Sequence, residues 1–135
     1  SADRPVHRLP LAPPVTLTRQ IALWTGVVAP PLAWASHLFL GYWFEEAACS
    51  TASRGFFAGD HAAQAALTAA ALALGLTGLA AAAWTLVGAR RGRVPDPRGR
   101  IAFFGVAGVA AGIFFVLITA LAGTYAIVLD PCTFS

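Results

Sequence analysis

The chain has 135 residues, of which 58% are hydrophobic and only 11% charged, with a mean hydropathy of +0.70. A soluble domain of this length carries about twice that charged fraction, so the composition excludes an ordinary water-soluble fold and points to helices in a membrane. The formal net charge is +3 and all nine basic residues are arginine, yet no basic face with interleaved aromatics occurs, which argues against a nucleic-acid partner.

Residues 1–19 read as a proline-rich cytoplasmic arm, with Pro5, Pro10, Pro13 and Pro14. Proline fixes φ and removes a backbone donor, so this arm is expected to be extended and unable to fold alone. It lacks the apolar region of a secretory signal. Two readings stand side by side: a free tail, or a strap lying on a partner subunit. The absence of methionine predicts an initiator removed ahead of Ser1.

Residues 20–135 read as an all-α domain of three transmembrane helices, at about 20–44, 61–88 and 100–129. The first span contains Pro30–Pro31, where a kink is expected. Pro30, Trp34, His37, Gly41 and Glu45 recur at helical spacing and share one face, too polar for lipid and therefore assigned to a helix interface. Trp24 and the run Tyr42–Phe44 mark the two water boundaries.

The following loop holds Glu45, Glu46, Cys49, Arg54 and Asp60, with Asp60 expected to cap the next helix. The second span is mostly alanine, which gains little from lipid and much from close protein contact, so it is read as the most enclosed helix. A short loop with Arg90, Arg91, Arg93, Arg98 and Arg100 follows and is expected to meet anionic lipid headgroups. In the third span Gly105, Gly108 and Gly112 form a small-residue strip suited to a helix interface, with Phe103, Phe104, Phe114 and Phe115 on the other side.

Eight arginines flank one side of this arrangement and Arg54 alone flanks the other. The positive-inside rule then puts the N-terminus in the cytoplasm and the C-terminus outside, in a multi-pass protein of a bacterial inner membrane. Cys49 and Cys132, the two cysteines, fall on the external side. A disulfide between them is expected in an oxidising compartment, with a copper site or a redox thiol pair as rivals.

His37 is the ionisable residue deepest in a span, about two turns from the external boundary. Its possible roles are haem ligand, quinone partner or proton relay; the reading preferred is a neutral imidazole inside a helix interface. His61 is the other imidazole that a haem would need, and it lies at the membrane surface, poorly levelled with His37. No phosphate loop, zinc signature, nucleophile elbow or dinucleotide fingerprint occurs, so no catalytic or metal-binding residue is assigned. Bound lipids are expected, and no cofactor of its own.

The stretch Pro30-Pro31-Leu32-Ala33-Trp34-Ala35-Ser36-His37-Leu38, with Tyr42, Cys49 and the ending Leu129-Asp130-Pro131-Cys132, resembles a family of small bacterial membrane proteins encoded near haem-copper cytochrome c oxidase subunits. The resemblance covers the first span and the last turn. It implies an accessory subunit of a respiratory complex, packed against larger multi-helix subunits and without its own metal centre. The alternatives are a small haem- or quinone-binding protein using His37, and a small channel, which three spans would form only as an oligomer.

Overall fold

The computed structural model describes residues 16–49, 60–93 and 98–129. Three helices account for nearly all of them: α1 (Leu17–Cys49), α2 (Asp60–Arg90) and α3 (Arg98–Val128). Each is long and apolar enough to cross a membrane. At 1.5 Å per residue they run about 45–50 Å, against about 30 Å of hydrocarbon, so their ends reach beyond the apolar layer. The expected cap at the Asp60 side chain, the arm residues 1–15 and the Cys132 end lie outside the described residues.

The helix ends differ from the hydropathy boundaries. Thr16 opens α1, its carbonyl accepting from Arg19 N at 2.9 Å and Gln20 N at 3.1 Å. At the far end α1 continues through Glu45-Glu46-Ala47-Ala48 to Cys49. These residues favour helix although they do not favour lipid. The helix also runs unbroken through Pro30 and Pro31.

α2 ends in a Schellman motif. Gly92 takes the left-handed conformation at φ 66°, Arg93 N donates to Gly88 O at 3.0 Å, and Gly92 N donates to Ala89 O at 3.2 Å. The turn reverses the chain toward α3 and leaves Arg91 and Arg93 exposed at its outer rim.

The three helices run up, down and up. α2 packs antiparallel on both neighbours, and α1 and α3, parallel to each other, touch less extensively. Close approach rests on small residues. Gly26 lies against Ala82, where a Cβ would stand 2.9 Å from its backbone, and Gly108 meets the same Ala82 from α3. The three backbones therefore converge at this level. Trp34 and Phe115 close the α1–α3 seam, with ring centroids 5.5 Å apart.

One expectation is corrected. α2, read from sequence as the most enclosed helix, does lie against both neighbours, but it is less buried than α1, because its outer side is exposed over most of its length. The strip Gly105–Gly108–Gly112 is read from sequence as a helix interface. It is occupied internally, by Leu86, Ala82 and Leu79 of α2.

Candidate functional site

The core is built of alanine, glycine and a few polar groups rather than large apolar side chains. His37, Gln64, Thr68, Thr85 and Thr119 are all buried. Three of these hydroxyls return to their own helix, Thr85 Oγ1 to Ala81 O, Thr119 Oγ1 to Phe115 O and Thr68 Oγ1 to Gln64 O, so they add no unmet donor.

The chain of bonds around His37 links two helices. His37 Nε2 lies 2.9 Å from Thr68 Oγ1, which itself donates to Gln64 O at 2.8 Å. A hydroxyl has one proton. With that proton on the Gln64 carbonyl, Thr68 accepts from the Nε2–H tautomer of His37, in which Nδ1 is a bare acceptor. One turn away Gln64 Nε2 donates to Gly41 O at 3.3 Å. That bond fixes the amide orientation and aims Oε1 away from the carbonyl.

Glycine makes room on both sides. Gly41 brings its backbone within reach of Gln64, and a Cβ there would come 3.7 Å from Gln64 Oε1. Gly123 of α3 lies so close to Thr68 that any Cβ at that position would overlap its side chain. All three helices thus contribute to the site.

Two buried polar atoms, His37 Nδ1 and Gln64 Oε1, have no hydrogen-bond partner among the described residues. An unmet buried polar atom costs about 1–3 kcal/mol, and lipid offers no compensation. The pair is suited to a donor: a water, a hydroxyl, or the proton that would make the imidazole cationic. Iron ligation at Nε2 would displace Thr68, which leaves Nδ1 as the ring atom open to a ligand.

The other sequence-derived residues fall elsewhere. Trp34 is half-buried against Phe115, beside this site along α1, and Gly41 is in it. Gly105, Gly108 and Gly112 pack toward the opposite end of α3. His61 is exposed, about 10 Å along α2 from Thr68. Among the described residues no group of three His, Cys, Asp or Glu side chains is placed to hold a metal ion. Cys49 ends α1, and the expected pairing with Cys132 involves a residue outside those described. Gln64, Thr68 and Gly123 were not singled out from sequence as parts of this cluster.

The fold and the site define an all-helical protein whose three helices are long and apolar enough to cross a membrane, with a small polar cluster in a close-packed core. The chain matches no protein-family model, no curated protein and no solved structure.

Proposed function

We propose that this chain is a non-catalytic accessory subunit of a bacterial respiratory complex of the cytochrome oxidase type, contributing assembly and stability in the inner membrane. The observation that carries the docking role is the outer side of α2. Ala65, Ala69, Ala73 and Thr77 repeat at four-residue spacing and are all exposed. In lipid no hydrophobic drive brings helices together, and small residues gain chiefly by letting another backbone approach closely. The exposed stripe is therefore the surface offered to a larger subunit. The respiratory assignment rests on the family resemblance in the first span and last turn. In this reading the arginine-rich end faces the cytoplasm, Cys49 and Cys132 form an external disulfide, and the proline arm straps across the partner.

Mild detergent extraction followed by mass spectrometry of co-purifying chains tests the proposal. Recovery with oxidase subunits supports it, and recovery as a lone chain under the mildest extraction contradicts it. The second reading, a haem or quinone protein at His37, draws on the unpartnered His37 Nδ1 and Gln64 Oε1. A Soret band in the purified chain would favour its haem form.

A further inference from the structure

At the arginine-rich end the three helices leave a cavity of about 410 Å³. Pockets that hold small ligands span about 300–1,000 Å³. Arg19 enters it from α1, Arg91 and Arg93 from the turn after α2, and Arg100 from the first turn of α3. Leu23, Val87 and Ile101 form its apolar wall, and Trp24 and Trp84 frame it. Both tryptophans are exposed, as interfacial aromatics are, and Arg19 lies over the Trp84 ring at 6.0 Å.

The charge here is uncompensated among the described side chains. Glu45 and Glu46 sit at the other end of α1, about 40 Å from Arg19. Asp96, between α2 and α3, lies outside the described residues. The cavity thus joins four arginines to an apolar slot at the arginine-rich end of the bundle.

We infer that this cavity is a binding site for an anionic diacyl phospholipid, its phosphodiester held by Arg19, Arg91, Arg93 and Arg100 and an acyl chain lying along Leu23, Trp24 and Val87. Guanidinium forks match phosphate oxygens in geometry and charge. The apolar wall distinguishes a lipid from a free phosphate, which has nothing to place there. The inference is independent of the subunit role, since the cavity is formed within one chain.

The test is native mass spectrometry of the full chain released from micelles, titrated with dioleoylphosphatidylglycerol or dioleoylphosphatidylcholine. Selective retention of phosphatidylglycerol is expected. Each arginine near an anionic headgroup contributes about fivefold in affinity, so Arg91→Gln with Arg100→Gln should weaken retention about 25-fold. Arg90→Gln removes an exposed charge that does not line the cavity and should change retention little. A loss of about fivefold in Arg90→Gln, the same per arginine as in the double variant, would reveal diffuse surface charge and overturn the site. Equal retention of the two lipids, or displacement by inorganic phosphate, would overturn the ligand. If the double variant does not fold, the unmodified chain still decides. Acyl-brominated phosphatidylglycerol should quench its tryptophan fluorescence more than the phosphatidylcholine analogue, and equal quenching would refute the inference.

Discussion

Pro30 of α1 seats in the notch that Gly78 leaves on α2. A Cβ at position 78 would stand 2.7 Å from Pro30 Cδ and 3.1 Å from Ala29 Cβ. Pro30 is fully buried there, so the ring has no route out. Gly78→Ala should therefore force the helices apart and destabilise the bundle by about 1–3 kcal/mol. Gly99→Ala is the control. Its Cβ would meet nothing within 4 Å, and alanine should raise helix stability by up to about 1 kcal/mol. Unfolding in mixed micelles measures both, and indistinguishable effects would contradict the notch.

The His37–Thr68 bond makes a second prediction. Thr68→Val keeps the shape beside Gly123 but removes the acceptor for His37 Nε2. Interhelical hydrogen bonds in membranes are worth about 0.6–2 kcal/mol. A double-mutant cycle with His37→Leu should show coupling of about that size, and additivity within about 0.3 kcal/mol would show that the bond contributes nothing.

Much of the architecture is legible in the sequence. Three apolar blocks and the small-residue strips suffice for three close-packed helices. The ends are less legible, because hydropathy falls at Phe44 while Glu45 to Ala48 still favour helix. The Gly92 cap carries the usual glycine signal, yet it sits in an arginine-rich loop whose charge reads first. The polar cluster is half legible. His37 announces itself, whereas Thr68 and Gln64 in an alanine run look the same whether they return to their own backbone or cross to a neighbour. The alanine content of α2 marks it for protein contact without saying which side its own neighbours leave open.

Orientation is a third prediction. With Arg19, Arg90, Arg91, Arg93 and Arg100 at one end of the bundle, the positive-inside rule places that end in the cytoplasm. A C-terminal alkaline-phosphatase fusion should be active and a fusion after Arg91 inactive. The reverse pattern would invert the topology and remove the oxidising environment proposed for Cys49.

The proposed Cys49–Cys132 disulfide would close a loop of roughly 80 residues, for which chain entropy gives about 4 kcal/mol as an upper-end figure. Thiol labelling of the denatured, unreduced protein should find no free cysteine. Two labelled thiols would rule the bond out.

The central claim is that the outer side of α2 docks on a larger respiratory subunit. Its most direct test is a photo-crosslinking side chain placed at Ala69, compared with the same group at Phe39 of α1 and Leu121 of α3, all three exposed. In native membranes Ala69 should give an adduct with a multi-helix oxidase subunit, while Phe39 and Leu121 give mainly lipid. Lipid adducts alone from Ala69, or a crosslink only to a second copy of the chain, would contradict the account.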